Sequence, residues 1–543
     1  MLVMGFDSYK KRLLGWLSYA FGSEIFVTVS LTLFLPLALE QFARENGYLL
    51  PDRTERCPAS TSDESQTCAV KIGWFWVDSA SFSLYVYSIS VALQALTVIS
   101  MGGIADHPPH RKLLLVSFGV AGSLAATAFL LISSSSPVWF LAALLTCIAN
   151  VSFGASTVAM NAYLPSLAKD SPEVVEILHE LQEASGTNSR DDTEEGVGRA
   201  SEDAEAPLIS RTPAQEPTEL QTRYETALSR AMSRTSSLGI ATGYGAGILM
   251  LIVALVPVTK LNGSTFSLRL AIGLSGIAWG IFTIPAALWL PSSVSSEDSG
   301  SAPWRETAGD GKWSTRREIA AAWRRLGGML HPREIKRLRN TFKYLAAWFL
   351  LSDGFTTITS TAMLFGKNSL HMKASSLVLI GVFSPMAGIA GSLLCPIIQR
   401  RLGWSNLRVI IVIVALASLI PAYGCLGFLS IFKGFGGLTT QGELFGLAIY
   451  FGFIYGAFQG FSRAFYAELI PPGEEARWYG LYSITDKSSS FLGPLIVGLI
   501  SDLTGNIRYG FFFLILMMWA ALPALVSVDV ERGRKDAREY VYR

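Results

Sequence analysis

Two positively charged residues lie inside long apolar stretches near the C-terminal end of this chain. Arg463 and Lys487 fall in the segment from Tyr450 to Asp502, which reads as two membrane-length helices joined by a short polar turn. A charge within a membrane-spanning helix is costly and normally faces a bundle interior or a water-filled cavity. Both residues are therefore candidates for binding a negatively charged group, and matching acids are expected elsewhere.

Two acids meet that expectation, Glu24 and Asp353, each inside another apolar stretch. Residues 23–26 (SEIF) resemble residues 352–355 (SDGF), which suggests equivalent positions in a repeat. At about 1.5 Å per residue, all four charges reach a similar depth. We interpret them as a binding site for a zwitterion, in which Arg463 binds a carboxylate and an acid binds an ammonium group. The alternative is a set of ion pairs that only hold helices in register.

Other polar side chains near this depth are predicted to line the same cavity. They are Asn161, Gln459 and Tyr466, and each could instead be a helix-packing residue. The sequence contains no Gly-x-Ser-x-Gly elbow, His-Glu-x-x-His pair or phosphate-binding loop. We therefore predict that the protein is not an enzyme and has no cofactor or metal site.

The composition indicates which elements must position these residues. The chain has 543 residues, of which 50% are apolar and 16% are charged, whereas soluble proteins average about 25% charged. Apolar runs of about 20 residues, each long enough to cross a bilayer, recur along it. We predict an all-α membrane protein that has twelve spans and does not bind nucleic acid. The spans are 13–39, 79–105, 112–133, 137–165, 237–259, 267–290, 342–366, 376–399, 407–430, 443–470, 477–502 and 508–528.

The order of the spans predicts a duplicated transporter with two pseudo-symmetric six-helix halves. The first half covers 1–290 and the second covers 342–543, which ends in a cytosolic tail. Residues 170–236 are acidic and polar, so we predict a disordered insert there. The linker 291–341 contains an arginine-rich amphipathic stretch that is typical of a helix lying at the membrane interface.

Charge distribution predicts the orientation. Most of the 44 Lys and Arg residues lie on the side that carries both termini, so that side is predicted to be cytosolic. The sequon at Asn262 falls on the opposite side, where glycosylation is possible. Cys57 and Cys68 share a polar loop on that side, and they could form a disulfide or remain free.

The loop between the second and third predicted spans carries a possible cytosolic gate. Asp106 can cap a neighbouring helix or pair with Arg111 or Lys112 and thereby form a latch. This resembles the loop motif of the major facilitator superfamily, although the loop has His107 and His110 around two prolines where a glycine-basic turn is expected. We interpret both histidines as exposed loop residues.

Several stretches resemble the autophagy-related vacuolar amino-acid effluxer family, a branch of the major facilitator superfamily. The most specific is SRAFYAELIPPGEEARWYGLYSITDKSSSFLGPLIVGLISDLTGNIRYGF, and the others are YAFGSEIF, NAYLPSLA, SSLGIATGYGAG and LLSDGFTTI. The family often has an aspartate at the position of Glu24. The resemblance implies the major facilitator fold and a multi-pass vacuolar membrane protein that moves amino acids from lumen to cytosol after autophagic degradation.

Leucine and other neutral amino acids are the substrates that the resemblance implies. We expect alternating access by a monomer in the lipid bilayer, with possible proton coupling through a buried acid. The alternative is a non-transporting vacuolar membrane protein that acts in breakdown of autophagic bodies by recruiting partners.

Overall fold

The computed structural model describes residues 2–50, 54–57, 68–105, 108–181, 219–292, 314–429, 431, 436–471 and 475–540. The first helical stretch runs from α1 through a π-helical segment at Phe26–Phe34 into α2, and further helices follow up to residue 292. These helices are α1 Leu2–Ile25, α2 Leu35–Glu45, α3 Ser79–Ala105, α4 Pro108–Ala128, α5 Leu141–Ala162, α6 Leu164–Lys169, α7 172–181, α8 Glu219–Lys260 and α9 Thr265–Trp289.

The remaining helices form the linker and the second half. Two short helices lie in the linker, and nearly all the later ones are long. They are α10 Thr315–Met329, α11 Pro332–Arg337, α12 Arg339–Asn368, α13 Ala374–Leu402, α14 Asn406–Leu426, α15 Gln441–Glu468, α16 Glu475–Ser489, α17 Leu492–Thr504, α18 Gly510–Val526 and α19 Val530–Arg538.

Ten helical stretches of the described chain are long and apolar enough to cross a membrane, which makes this a multi-pass membrane protein. They coincide with ten of the predicted spans. The seventh predicted span is the continuous 30-residue helix α12, in which apolar residues alternate with serine, threonine and Asp353. The eleventh is divided between α16 and α17. The count of twelve therefore stays a prediction.

Pro494 explains the break in the eleventh predicted span. A proline nitrogen cannot donate a hydrogen bond to the carbonyl four residues before it, so a helix is interrupted there. Helix α16 ends at Ser489, and α17 begins at Leu492 with Pro494 in its first turn. The backbone N–H groups at the start of α17 therefore need acceptors from outside the helix.

A small antiparallel sheet covers one side of the bundle. Its strands are β1 Tyr48–Leu49, β2 Cys68–Ile72 and β3 Phe75–Asp78, in the order β1-β2-β3. Cys57 and Cys68 form a disulfide in the structure, with their Cα atoms 6.2 Å apart. We call this side of the bundle the hairpin face and the side that carries both chain ends the terminal face.

The region predicted as a disordered insert contains helices at both ends, which corrects part of that prediction. Residues 172–181 are helical, and α8 begins at Glu219, well before the apolar stretch that starts near Leu238. The buried side chains of Val174, Ala227 and Ala231 pack together. This local apolar contact is a sufficient reason for the helices, and composition averaged over the whole insert concealed it.

The predicted amphipathic linker helix is α10. Its arginines are exposed, while Met329 is buried. The indole Nε1 of Trp323 donates a hydrogen bond to Ser100 Oγ at 3.2 Å. The helix therefore packs against the terminal-face end of α3.

The two halves meet along helix pairs that come from equivalent places in the chain. Helix α3 contacts both α16 and α17, and α8 contacts α13. Hydrogen bonds between the halves include Ser81 Oγ to the Gly498 carbonyl at 2.9 Å and Ser88 Oγ to the Phe491 carbonyl at 2.6 Å. Both lie on the hairpin-face side of α3.

Candidate functional site

Glu24 reaches the centre of the bundle because the facing helix offers a glycine. A Cβ added at Gly243 of α8 would lie 2.9 Å from Glu24 Cγ, so the acid packs where a side chain is absent. Tyr244, the next residue, experiences the charges of both Glu24 and Arg463. Glu24 and Arg463 thus both lie close enough to Tyr244 for their charges to act on it.

Arg463 projects from α15 and is exposed to solvent. Tyr479 donates a hydrogen bond to its backbone carbonyl at 3.4 Å, which leaves the guanidinium uninvolved. Within the described part of the chain, neither the guanidinium of Arg463 nor the carboxylate of Glu24 forms an ion pair. Both groups are therefore available to a ligand.

Lys487 has a nearer acid than the sequence interpretation gave it. Its Nζ lies 3.4 Å from Asp486 Oδ2, and Ser352 donates a short hydrogen bond to the other oxygen of Asp486. The charge of Lys487 also acts on Glu24. Lys487 is therefore shared between an acid on its own helix and the acid on α1, and Asp486 belongs to the same polar region.

Asp353 has a different environment from Glu24, and this corrects its predicted role. Its side chain is 2% exposed, and both oxygens accept the backbone N–H of Gly493, at 2.8 and 3.0 Å. Thr357 Oγ1 approaches Oδ1 at 3.4 Å. Because these bonds satisfy the N-terminus of α17, Asp353 acts as a cap for a broken helix and is not positioned to receive an ammonium group.

Tyr466 is also placed differently from the sequence interpretation. It is 0% exposed, and its hydroxyl donates to the Trp478 carbonyl at 2.8 Å. Its ring stacks against Tyr482, with centroids 4.9 Å apart. Tyr466 is thus a packing residue, the alternative that its position within an apolar run left open.

Gln459 and Asn161 remain candidates at different levels. Gln459 Nε2 donates to the Tyr455 hydroxyl at 2.6 Å, and both residues are half-buried on α15. Gln459 lies one helical turn before Arg463. Asn161 is exposed one residue before the end of α5, close to the terminal face. Their roles as ligands stay predictions.

Tyrosines around the charges were missed by the sequence interpretation. Tyr87 on α3 experiences the charges of Asp353 and Asp486, and Tyr482 on α16 experiences those of Asp486 and Arg463. Tyr244 also precedes a glycine in the small-residue run of α8. These tyrosines meet the charges through contacts between helices that are far apart in the sequence. No local sequence pattern therefore indicates them.

The predicted gate on the terminal face is only partly described. Asp106 lies outside the described residues. Arg111 Nε donates to the Ala105 carbonyl at 3.1 Å, and its guanidinium lies 5.2 Å from the Tyr163 ring centre. Lys112 is half-buried. Arg111 of α4 thus contacts the end of α3 and the residue that follows α5, all within the first half.

The glycosylation sequon lies in an exposed turn on the hairpin face. Asn262 is exposed with a φ of 51°, between α8 and α9. Ser264 of the same sequon caps α9 by accepting the N–H of Ser267 at 3.4 Å. Glycosylation of Asn262 stays a prediction. Among the described residues, no group of three or more His, Cys, Asp or Glu side chains is arranged to hold a metal ion.

Solved structures with this helix arrangement define the class of protein. The inward-open xylose transporter XylE from E. coli matches with a TM-score of 0.52 over 96% of each chain at 10% identity. A peptide transporter, POT, in complex with sulfate matches with a TM-score of 0.54 over 97% of this chain and 94% of that one at 11% identity. The fold is that of a major facilitator transporter.

The chain belongs to the family described as "Vacuole effluxer Atg22 like", whose sequence model matches residues 8–538. Autophagy-related protein 22 of Cryptococcus neoformans is 40% identical, with 99% of this chain and 98% of the relative covered. Autophagy-related protein 22-1 of Neosartorya fischeri is 38% identical, with 97% of this chain and 91% of the relative covered. The family resemblance predicted from the sequence is confirmed.

Proposed function

We propose that this protein exports amino acids from the vacuole lumen to the cytosol after autophagic degradation, with leucine and other neutral amino acids as substrates. In this proposal both termini are cytosolic, the hairpin face is lumenal and transport proceeds by alternating access. Family membership supports the compartment. The disulfide and the exposed sequon at Asn262, both on the hairpin face, support its lumenal assignment.

The observation that carries the proposal is that an acid and an arginine from different helices, Glu24 and Arg463, both lie near Tyr244. A free amino acid has a carboxylate and an ammonium group and no net charge. Arg463 can bind the carboxylate through two parallel hydrogen bonds, and Glu24 can accept the ammonium group. Lys487 lies close enough for its charge to act on Glu24.

A neutral side chain suits the surroundings of these charges. Tyr244, Tyr455 and Tyr87 contribute aromatic surface beside them, from α8, α15 and α3. Aromatic rings contact apolar groups well and keep a hydroxyl for hydrogen bonds. This composition favours leucine-like side chains over charged ones, because a second charge would lack a free partner among the groups described around the site.

Alternating access agrees with where the halves touch. The hydrogen bonds from Ser81 and Ser88 of α3 to the eleventh predicted span lie toward the hairpin face, whereas Arg463 and Asn161, which lie on the terminal-face side of these contacts, are exposed. If the hairpin face is lumenal, this conformation is closed to the lumen and open to the cytosol. A transporter that exports toward the cytosol releases its substrate from such a state.

The experiment is uptake of labelled leucine, and of a panel of other amino acids, by liposomes that contain the purified protein. We expect Arg463→Ala to reduce leucine flux by at least about tenfold, because a charge-assisted hydrogen bond contributes about 1.5–3 kcal/mol. Arg408→Ala is the matched control, since Arg408 is an exposed arginine on α14 and outside the site. It should leave flux unchanged.

Flux that is equal in the two variants would remove Arg463 from the site. An absence of flux for every amino acid with the unsubstituted protein, at normal folding, would favour the non-transporting alternative.

A further inference from the structure

A group of charged residues joins the two halves at the hairpin face, outside the central site. Glu40 of α2 is 0% exposed, and its carboxylate forms an ion pair with Lys367 of α12. Lys367 Nζ also donates to the Leu37 carbonyl at 3.2 Å, and Ser79 Oγ donates to Glu40 at 3.4 Å. One end of α12 is thereby fixed to the first half through a buried ion pair.

A second contact between the halves lies beside the first. The backbone N–H of Asp78, at the end of β3, donates to Asp502 Oδ1 of α17 at 2.8 Å. The Asp78 carboxylate faces inward and caps α3, because its Oδ2 accepts the N–H groups of Ala80 and Ser81, at 3.0 and 3.2 Å. Two aspartates from opposite halves are therefore held close together.

The charges of this group do not balance. Glu40, Asp78 and Asp502 supply three carboxylates, and Lys367 is the cation paired among them. The other ionisable groups near Asp78 are Tyr85 on α3 and the exposed Lys71 on β2, whose ammonium group lies over the Trp76 ring, 6.0 Å from its centre. When Asp78 and Asp502 are both ionised, repulsion between these two carboxylates from opposite halves opposes closure.

We propose that the Glu40–Lys367 ion pair and the Asp78–Asp502 contact form a lumenal latch that holds the two halves closed, and that the latch tightens as lumenal pH falls. The lumenal side and the alternating halves rest on the proposed function. Ser81 and Ser88, which bind carbonyls of the eleventh span, continue the same contact deeper along α3.

The pKa of Asp78 supports the direction of the pH effect. It is raised to about 6, chiefly by burial, because the nearby charges of Glu40 and Asp502 add to this effect while the Ser81 and Ala80 N–H groups oppose it. In a lumen-open state Asp78 would be solvated and its pKa would return toward the usual value of about 3.9. The closed state therefore binds the proton more tightly, so closure is favoured below about pH 6 and weakened above it.

The latch can be tested by measuring the distance between spin labels on the two halves. Trp74→Cys and Lys373→Cys place labels at two exposed positions of the hairpin face, with free Cys147, Cys395 and Cys425 replaced by alanine. We expect the short-distance population in nanodiscs to at least double between about pH 7.5 and about pH 5, because the closed state takes up a proton.

Asp78→Asn mimics the protonated acid and should give the short distance at both pH values. Glu55→Gln, an exposed acid in the same loop, is the matched control and should keep the pH response. A distribution in the labelled parent that ignores pH, or a pH response retained in Asp78→Asn, would overturn the pH dependence of the latch.

Lys367→Met tests the ion pair itself. It leaves Glu40 buried without its cation, so we expect the long-distance population to dominate at both pH values. Adding Glu40→Gln to that variant should restore part of the short-distance population and also shows that the protein still folds. Unchanged distances in Lys367→Met would remove the ion pair from the latch. These measurements need no substrate, so their failure would leave the proposed amino-acid flux untouched, and absent flux would leave them valid.

Discussion

The two halves place an acid at equivalent positions and use it differently. In the first half, Glu24 packs on Gly243 of α8, and in the second half Asp353 packs on Gly493 of α17. Helix α8 continues unbroken through Gly243, whereas α17 begins just before Gly493. The N–H of Gly493 therefore needs an acceptor from outside the helix and donates to Asp353. No helix N-terminus needs the carboxylate of Glu24 in this way.

This difference gives Asp353 a structural role and supports our proposal that Glu24 binds the ligand. In the second half, the N-terminus of α17 donates a hydrogen bond to the carboxylate of Asp353. In the first half, α8 is continuous and makes no such bond to Glu24, which lies beside Tyr244. A duplicated fold can thus keep the same residue pattern and still build one site at its centre. Substitutions of each acid, and of the glycine that faces it, test this difference.

Glu24→Gln should have the largest effect. It removes the negative charge that we expect to hold the substrate ammonium group, and a hydrogen bond to a charged group contributes about 1.5–3 kcal/mol. Leucine flux in liposomes should therefore fall about 10- to 100-fold, with the thermal unfolding midpoint nearly unchanged. Flux near that of the unsubstituted protein would contradict the assignment.

Gly493→Ala should damage stability next most strongly. The new Cβ would lie 1.9 Å from Thr357 Oγ1 and 2.8 Å from Asp353 Oδ1, so α17 must move. We expect about 1–3 kcal/mol of destabilisation, measured as a lower thermal midpoint in detergent. Adding Thr357→Ala should recover part of it; no recovery would mean that the crowding lies elsewhere.

Gly243→Ala should affect transport more than stability. The added Cβ would lie 2.9 Å from Glu24 Cγ. The flexible Glu24 side chain can move away from this contact, whereas backbone atoms could not. We expect a decrease in leucine flux of about 3- to 10-fold, with less than about 1 kcal/mol of destabilisation. A large loss of stability with unchanged leucine flux would show that Glu24 is held as rigidly as Asp353.

Asp353→Asn should have the smallest effect. The amide oxygen can still accept the Gly493 N–H, and asparagine caps helices about as well as aspartate. We expect leucine flux within about twofold of the unsubstituted value and a small change in thermal midpoint. A loss of flux as large as that from Glu24→Gln would restore Asp353 to the binding site.

The sequence predicted the membrane fold and the family well, because long apolar runs and a 50-residue signature are local features. It also located the charges on the correct helices. Pro494 indicated a bend in the eleventh predicted span, but nothing local showed that the freed N–H would take Asp353. The role of that acid depends on a contact between residues 140 positions apart.

The lumenal latch shows a signal that the sequence interpretation did not use. Glu40, Asp78, Lys367 and Asp502 each lie at or within one residue of the end of a predicted span, all on the same side. Span ends are usually charged for solvation, so these residues were indistinguishable from ordinary loop residues. Their burial and pairing follow from how the halves meet, which no single span encodes.

The most direct test of the central claim measures recognition of the substrate's ammonium group. Competition of leucine transport by leucine and by its deaminated 2-hydroxy analogue should be compared in the unsubstituted protein, Glu24→Gln and Asp353→Asn. The account predicts that the unsubstituted protein and Asp353→Asn prefer leucine by about tenfold or more, and that Glu24→Gln loses most of this preference. A preference retained in Glu24→Gln and lost in Asp353→Asn would contradict it.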